Sequence, residues 1–587
     1  MPSLPDTVGA QAWKTFLTSR FASPSTTKTP RLTKTERIAE LDHELEILQH
    51  SDFITFAKRQ RNANLPSCSL PPEVLSRVFW YAQEGWKPRR SIDNDVITLG
   101  WIILTHVCNK WREVALSSSP LWCDVSCYAL PIGAVPALIE RSRRSPLDLA
   151  FEGIFRGDDK KSPYTIALRK IWLSRSVSSR VRSLTIEEMA TSRWHSRQWS
   201  SLIGNPMPAL EELRIHISLR ESDEASVLPD TIFTSTSPLG LRSISLFNCF
   251  LPWSSPLFTS NITHLDLGEQ ESTPTLLPSP ALFHQVLSRL QRLESLSLMN
   301  IFPLPDPNDL FTTELSDTLK DVTMSATVIS MIEPCLKAFL SITTTRPARY
   351  SIDIFTATEH ALMSEALAHL FQPAPDPYKE LCIASNAFST LSPPEWTAGD
   401  PETGLEWLGG GAYTFELERR FTLSDVENST LSIFYYPYLS FVRMDRIERL
   451  SIASGAVCAF RDDDAWKTTF RRATQISSLA LPYAPALCHL FGALEETAAP
   501  SPGATEAKEM TLFPALKVVA LYLYEDANAD AIDIDDIASA QLRIELLNLM
   551  HVRKDAGCPI EQLRVAKGVL GDADIRGLAE IVTVEQF

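Results

Sequence analysis

Four side chains between positions 106 and 127 are the first candidates for chemistry, because thiolates and imidazole nitrogens are the ligands that zinc prefers. They are His106, Cys108, Cys123 and Cys127. Their spacing matches no compact zinc finger. Cys108 falls on the apolar face of a predicted helix beside Trp111, and Cys123 lies in an apolar cluster, where a thiol behaves as a small hydrophobic side chain. We therefore interpret Cys108 and Cys123 as core residues and His106 as an ordinary helix position, and we predict no bound metal.

A second candidate, residues 526–530, begins like a calcium-binding loop, with oxygen-bearing side chains at alternate positions. Ala531 occupies the position of the glycine that the turn needs, and Ile537 stands where a bidentate glutamate would bind calcium. These two departures favour a solvated acidic loop.

The sequence also lacks the common catalytic motifs. The glycine cluster at residues 409–411 is not followed by the Lys-Ser or Lys-Thr pair of a phosphate-binding loop. His360 and His369 share a segment with Glu365 but form no His-Glu-x-x-His motif, and there is no Gly-x-Ser-x-Gly elbow. We predict a protein that is not an enzyme and holds no cofactor.

The composition narrows the class of protein. The chain has 587 residues, of which 44% are hydrophobic and 21% charged, as in folded globular proteins. There are 55 Lys and Arg against 71 Asp and Glu, so the net charge of −16 repels phosphate polymers and anionic lipid surfaces. No apolar run approaches the length of a membrane span, and no secretory signal opens the chain. We therefore expect a cytoplasmic and/or nuclear protein that binds neither nucleic acid nor membranes.

Two segments precede the first predicted module. Residues 1–33 are rich in Ser, Thr and Pro and are predicted to form a disordered leader. Residues 34–62 are predicted to form an amphipathic helix. Its apolar stripe consists of Ile38, Leu41, Leu45 and Leu48. The stripe is short, so packing of this helix on the next module is favoured over the open alternative of a coiled-coil dimer.

The most informative segment is residues 66–127. Two consecutive prolines open a helix where a missing N–H costs nothing, and Val74 and Val78 begin its apolar face. A second helix is predicted over residues 100–116. Its apolar face is formed by Leu104, Val107, Cys108, Trp111, Val114 and Ala115. A module of two or three such helices buries little surface and tends to need another surface for stability.

These residues, in this order and spacing, resemble an F-box in the form found in mushroom-forming fungi. The matching residues are Leu70-Pro71-Pro72-Glu73-Val74-Leu75, Val78-Phe79, Gly100-Trp101-Ile102, Thr105-His106-Val107-Cys108, Trp111-Arg112-Glu113-Val114-Ala115-Leu116 and Pro120-Leu121-Trp122. The sequence departs from the family at Val74, where isoleucine is more usual, and in the charged and polar link between Ala82 and Leu99. The resemblance covers residues 70–122.

Beyond this module the template Leu-x-x-Leu-x-Leu recurs at intervals of roughly 30 residues, near the upper end of the leucine-rich-repeat range. Its clearest copies begin at Val181, Leu210, Leu241, Ile262, Leu293, Ile447, Ile476, Leu516 and Ile560. Each copy predicts a short strand whose alternate apolar side chains face the core. Helices are predicted between the strands, for example after the Ser279-Pro280 cap and over residues 359–371.

The repeats are irregular. Cys249 fits the asparagine or cysteine expected at the ninth position, whereas Ile301 and Gly455 do not, so the asparagine ladder is predicted to be largely absent. Residues 389–427 break the rhythm as a loop or an inserted hairpin, and residues 495–509 are predicted to form a polar surface loop.

The predicted fold class is α/β, with N-terminal all-α F-box helices followed by an irregular leucine-rich-repeat solenoid (horseshoe) over residues 128–587. The resemblance implies the substrate-recognition subunit of an SCF-type cullin ubiquitin ligase. Such a subunit binds a Skp-type adaptor, and through it the cullin complex, by its F-box, and binds a protein substrate by its repeats. The alternative is a non-ligase leucine-rich-repeat interaction scaffold with an F-box-like cap.

The resemblance also implies which residues bind the adaptor or support that interface. They are Leu70, Pro71, Val74, Leu75, Val78, Phe79, Val107, Trp111 and Leu121. Some of them belong to the core of the module itself, and a large aromatic side chain such as Trp111 or Trp122 can instead anchor the module to the first repeat. The substrate is not specified, because the positions between the strand leucines are mixed, polar and roughly neutral.

Overall fold

The computed structural model describes most of the chain from residue 70 onward. The described ranges are 70–91, 96–152, 163–189, 203–219, 226–228, 240–271, 273–304, 312–344, 348–354, 360–371, 378–383, 387–392, 417–423, 438–457, 460, 462–497, 510–522 and 536–587, with seven scattered positions before residue 70. Apart from those positions, the predicted leader 1–33 and helix 34–62 lie outside the described residues. So do the glycine cluster 409–411 and the acidic loop 526–530.

The chain divides into two units. One comprises Met1–Trp122 with Pro136–Arg143, and the other comprises Cys123–Val135 with Arg144–Phe587. The domain limits predicted from the sequence stay predictions.

Helices dominate the described part of the first unit. Its elements are α1 Pro72–Gly85, β1 Arg89–Arg90, β2 Ile97–Thr98, a first 3₁₀ helix Gly100–His106, α2 Asn109–Ser117 and a second 3₁₀ helix Ser119–Trp122. The strands β1 and β2 pair antiparallel. The helix α1 begins at Pro72, which confirms the start predicted from the prolines, because a proline at the first helical position leaves no N–H without a partner.

The continuous helix predicted over residues 100–116 is wrong. The first 3₁₀ helix ends at His106, and Cys108 has an extended backbone (φ −158°, ψ 170°) before α2 begins at Asn109. A residue that precedes a helix adopts such non-helical angles, so Cys108 is the N-cap of α2 and not an interior residue. As a result, Val107 does not share a continuous apolar face with Val114.

The second unit alternates strands and helices. Its strands are β3 Asp124–Ser126, β4 Leu147–Phe151, β5 Val181–Met189, β6 Glu212–Ser218, β7 Ser226–Val227, β8 Ser243–Phe247, β9 Cys249–Phe250, β10 His264–Gly268, β11 Ser295–Met299, β12 Thr313–Glu314, β13 Asp321–Ala326, β14 Ile342–Thr343, β15 Arg349–Ile354, β16 Glu380–Ile383, β17 Ala387–Ser392, β18 Leu417–Leu423, β19 Arg449–Ile452, β20 Ser478–Pro482, β21 Val518–Tyr522, β22 Gln562–Val565 and β23 Thr583–Gln586. Of the α-helices that follow α2 along the chain, α3 Val135–Arg141 belongs to the first unit from Pro136 onward. The others are α4 Pro163–Trp172, α5 Arg175–Ser178, α6 Pro280–Arg289, α7 Ile332–Ser341, α8 His360–Leu370, α9 Ser454–Val457, α10 Asp463–Phe470, α11 Leu487–Glu495, α12 Asp536–Asp555 and α13 Asp572–Ala579.

Seventeen of the described strands belong to one mixed sheet. From β3 to β15 the neighbours are parallel, in the order β3, β4, β5, β6, β8, β10, β11, β13, β15. The strand β18 is parallel to β15, and β17 is antiparallel to both β18 and β16. From β16 the sheet continues in parallel through β19, β20, β21, β22 and β23.

The predicted fold class is therefore wrong. The described residues form a large mixed sheet with helices, and not an all-α N-terminal unit followed by a repeat solenoid. The first unit contains the β1–β2 pair, and β17 runs against its two neighbours in the second unit. The Leu-x-x-Leu-x-Leu template reports which side chains alternate into a core, and it carries no information on the direction of a strand or on its partner.

The core of the second unit contains the apolar side chains of these strands in aligned register. Across β6, β8, β10 and β11, Leu213, Ile244, Leu265 and Leu296 are register partners, and all are buried. Helices lie between strands along the chain. The helix α6 begins as predicted, because the Ser279 side chain accepts a hydrogen bond from the Leu282 N–H and Pro280 occupies the first helical position.

Two buried asparagines, Asn248 and Asn300, follow strands β8 and β11. Two such residues do not overturn the prediction that an asparagine ladder is largely absent. Asn248 donates to the Ile217 carbonyl oxygen (2.6 Å) and accepts from the Gln270 N–H (2.7 Å). Asn300 likewise donates to the Glu269 carbonyl oxygen and accepts from the Thr327 N–H, both at 2.8 Å. Both have positive φ, 54° and 56°. Each lies one position before the ninth position of the Leu-x-x-Leu-x-Leu template, which Cys249 and Ile301 occupy.

Candidate protein-docking surface

The helix α1 has two apolar faces. At 100° per residue, Leu75, Phe79 and Gln83 fall on one side of the helix, and all three are buried. Val74 and Val78 lie about 120° away around the helix, on a neighbouring face, and are 45% and 44% exposed. A helix in a globular protein normally presents one apolar stripe to the core, so the second stripe requires an explanation.

The buried face of α1 packs against the first 3₁₀ helix, α2 and the second 3₁₀ helix. The Phe79 ring lies 5.4 Å from the Trp111 ring in an edge-to-face arrangement. The Gln83 side-chain N–H donates to the Leu121 carbonyl oxygen at 3.3 Å, so this buried amide is satisfied. These contacts fix the rotation of α1 and thereby fix which of its faces points to solvent.

A tryptophan pair forms the rest of this core. The Trp101 and Trp122 rings lie 4.9 Å apart, and both side chains are buried. The Trp122 indole N–H donates to the Ala115 carbonyl oxygen at 2.8 Å. The Arg141 guanidinium lies 4.5 Å from the Trp122 ring, close enough for a cation–π interaction. Trp122 therefore joins α2 and α3 within the first unit.

Gly100 brings the first 3₁₀ helix against the end of α1. Its φ is +54°, and a Cβ atom here would lie 2.4 Å from the Trp86 carbonyl oxygen. The same carbonyl oxygen accepts the Trp101 N–H at 2.7 Å. Only glycine fits this close approach without strain, and the approach leaves Trp86 exposed on one side and Leu99 exposed on the other.

Exposed apolar side chains are concentrated in this short segment. Among the described residues, nine of the fourteen exposed large hydrophobic side chains fall between positions 74 and 107. We call these nine the docking surface: Val74, Val78, Trp80, Tyr81, Trp86, Val96, Leu99, Ile103 and Val107. A concentration of exposed apolar side chains in one segment is a candidate for binding a partner.

The segment that carries the docking surface is close to neutral, unlike the whole chain. Residues 70–122 carry six Lys and Arg against five Asp and Glu, whereas the chain as a whole has a net charge of −16. Arg77 lies among the exposed residues of α1, where its guanidinium is 3.5 Å from the Tyr81 hydroxyl and 5.9 Å from the Tyr81 ring. This arginine is placed to pair with a carboxylate of a partner.

The nine residues predicted to bind an adaptor fall into three environments. Pro71, Val74, Val78 and Val107 are exposed; Leu70 and Trp111 are half-buried; Leu75, Phe79 and Leu121 are buried. Their role in binding stays a prediction. In the structure the exposed members are placed to contact a partner, and the buried members are placed to support them.

Several members of the docking surface were not predicted from the sequence. Tyr81 lies seven residues after Val74 and three residues after Val78, and this helical spacing was a signal that could have identified it. No periodic signal marks Trp86, Leu99 or Ile103, because their exposure depends on the turn at Gly100.

The four candidate zinc ligands differ in their exposure to solvent. His106 is exposed, Cys108 is half-buried, and Cys123 and Cys127 are buried. Burial raises the pKa of the Cys127 thiol well above its usual value, which disfavours the thiolate that a metal needs. Within the described ranges, no group of three or more His, Cys, Asp or Glu side chains is placed to hold a metal ion. The helices that the structure describes include none with the length and hydrophobicity of a membrane span.

No protein-family model matches this chain. No curated protein matches it in sequence.

Proposed function

We propose that this protein is the substrate-recognition subunit of an SCF-type cullin ubiquitin ligase. In this proposal the docking surface binds a Skp-type adaptor, and the second unit binds a protein substrate. The observation that carries the proposal is the second apolar face of α1, where Val74 and Val78 are exposed beside the buried Leu75 and Phe79. The F-box-like order of residues 70–122 supplies the identity of the partner.

The energetics of the docking surface support a protein partner. Burying one exposed Val, Leu or Phe side chain contributes about 1.5–3 kcal/mol, so a partner that covers several of the nine side chains gains enough free energy for a stable complex. Trp80, Tyr81 and Trp86 are of the residue types that carry most binding energy in protein interfaces. The rings of Trp80 and Tyr81 lie 5.0 Å apart, so they form one aromatic contact.

One charged side chain of α1 adds a polar contact to the docking surface. Arg77 is exposed and lies beside Tyr81, where it is placed to pair with a carboxylate of the adaptor. Such a charge pair at the edge of an apolar contact fixes the orientation of a partner, while the apolar side chains supply affinity.

Such a subunit would not itself catalyse a reaction. It would hold a substrate close to the ubiquitin carrier of the ligase and thereby raise the effective concentration of one for the other. The residues that matter would then be those of two binding surfaces. We include a cytoplasmic or nuclear location in the proposal, since that is where such complexes act.

The proposal is tested by assembly. The intact chain is mixed with a Skp-type adaptor and a cullin, and co-elution is followed by size-exclusion chromatography. We expect the wild type to co-elute and Val107→Asp to elute alone, because this substitution places a charge on an exposed position of the docking surface. The matched control is Ile329→Asp, which adds the same charge at an exposed position of the second unit and should co-elute. If the wild type elutes alone, the ligase proposal is refuted and a scaffold without an adaptor remains.

A further inference from the structure

The side chains that alternate with the core leucines form a polar face on strands β5 to β13. Eight of them are short hydroxyl side chains: Ser183, Thr185, Ser243, Ser245, Ser295, Ser297, Thr323 and Ser325. A phenylalanine ring interrupts this face at the end of β8, where Phe247 lies two residues after Ser245 and therefore on the same side of the sheet. Aromatic side chains are enriched at protein interfaces, so Phe247 is a candidate contact residue.

The Phe247 ring lies against the sheet over a glycine. Gly268 is its register partner on β10, and a Cβ atom on Gly268 would lie 2.6 Å from Cδ2 of Phe247. On the other neighbouring strand, the ring of the exposed His216 lies 4.5 Å from the Phe247 ring. The position of Phe247 is therefore fixed on both sides, and the side chain remains half-exposed.

Four carboxylates on or beside this face are paired with cations. Asp148 pairs with Arg182 at 2.5 Å, Glu294 with Lys320 at 2.6 Å and Asp321 with Arg349 at 2.5 Å; Glu212 pairs with Arg214 at 3.3 Å. The negative charge of each of these carboxylates is therefore balanced by a neighbouring cation.

Asp266 differs from these carboxylates. It is exposed on β10, and its carboxylate accepts a hydrogen bond from the Ser245 hydroxyl at 2.8 Å. In the part of the chain that the structure describes, Asp266 forms no ion pair. Its register partner Ser245 precedes Phe247 by two residues, or about 7 Å along a strand, so the carboxylate and the aromatic ring are neighbours on one surface.

We infer that Phe247 and Asp266 bind a basic segment of a partner protein, with a Lys or Arg side chain over the Phe247 ring and its charge directed to the Asp266 carboxylate. A cation is attracted by the face of an aromatic ring, and an exposed carboxylate without a cation supplies the opposite charge. A purely apolar partner would leave that carboxylate uncompensated at the contact. The assignment of this basic segment to the substrate of a ligase receptor rests on the proposed function. The binding itself requires no adaptor.

The inference is tested with a labelled peptide. A fluorescein-labelled Gly-Ser-Arg-Lys-Ser-Arg-Lys-Ser-Gly peptide is titrated with the intact chain, and fluorescence anisotropy gives the affinity. The control peptide has Glu at every Lys and Arg position. The variants are Asp266→Asn and Phe247→Leu, with Asp321→Asn as the matched control, since it removes the same charge from a carboxylate that is already paired with Arg349. Thermal melts of each variant establish that the fold is retained.

We expect the basic peptide to bind and the acidic one not to bind. Asp266→Asn and Phe247→Leu should each weaken binding about fivefold, and Asp321→Asn by less than about twofold. Equal binding of the two peptides, or an equal loss in Asp266→Asn and Asp321→Asn, would overturn the inference. Adaptor binding is measured separately, so its failure would refute the proposed function without affecting this result.

Discussion

Val78 and Phe79 are adjacent in α1, yet the Val78 side chain is 44% exposed and the Phe79 side chain is fully buried with its ring 5.4 Å from that of Trp111. Both are apolar, so the difference between them is not one of residue type. It follows from the rotation of α1, which its packing against α2 and the two 3₁₀ helices fixes. One residue belongs to a core and the other to a surface that a partner can cover.

Substitutions at these two positions should therefore change stability by very different amounts. Phe79→Ala removes a fully buried ring and should destabilise the first unit by about 3–5 kcal/mol. Val78→Ala truncates an exposed side chain and should change stability by about 0.5 kcal/mol or less. Hydrogen exchange of backbone amides in residues 70–122 measures both. Equal loss of protection in the two variants would show that Val78 also belongs to the core.

Gly100→Ala should destabilise the same unit by about 1–3 kcal/mol. The substitution places a Cβ atom 2.4 Å from the Trp86 carbonyl oxygen at a residue with φ +54°. Gly85→Ala is the matched control, because no atom lies within 4 Å of a Cβ at that position and alanine favours a helix. Tryptophan fluorescence during urea unfolding reports the change. Similar midpoints for Gly100→Ala and the wild type would contradict the proposed role of this turn.

Asn300 should contribute to the second unit through its side-chain amide and through its backbone conformation, and two substitutions separate these contributions. Asn300→Gly keeps a residue that tolerates φ 56° but removes the bonds to the Glu269 carbonyl oxygen and the Thr327 N–H, which should cost about 1–3 kcal/mol. Asn300→Ala should cost about 1–2 kcal/mol more, since alanine is strained at positive φ. Urea midpoints compare the two. If Asn300→Gly matches the wild type, the amide has no structural role.

Glu269 should make stability depend on pH. Burial raises the pKa of its carboxyl above 4.5, although the Thr273 hydroxyl and N–H donate to it and lower the pKa in part. The folded state then holds the proton to a higher pH than the unfolded state, so the stabilisation is complete below the ordinary pKa and is lost as pH rises through the raised one. Glu269→Gln cannot ionise and should lose less stability than the wild type as pH rises from about 4 to 7. Parallel curves of urea midpoint against pH for the two proteins would contradict this.

Local signals in the sequence predicted individual elements well. The prolines before Glu73 and the Ser279-Pro280 pair each mark a helix start that the structure confirms, because capping and the missing proline N–H act within one turn. The break at Cys108 was not predictable in the same way, since Leu104, Val107, Trp111 and Val114 continue a helical spacing across it.

Features that depend on distant partners could not be read from the pattern. Both stripes of α1 are apolar, so only the packing of Phe79 and Gln83 decides which stripe is exposed. The direction of β17 and the pairing of β18 with β15 join residues far apart in sequence, and this is why the fold class was wrong. Asn248 and Asn300 were missed because a one-residue offset from the template hid them.

The central claim is that the exposed face of α1 binds an adaptor, and titration calorimetry of a Skp-type adaptor into the intact chain tests it most directly. The double variant Val74→Asp/Val78→Asp should weaken binding about 100-fold or more, because it removes two apolar contacts and buries two charges. The matched control Ile329→Asp/Ile544→Asp changes two exposed apolar side chains of the second unit and should bind within about twofold of the wild type. Equal affinities of the two double variants, or no heat of binding with the wild type, would contradict the claim.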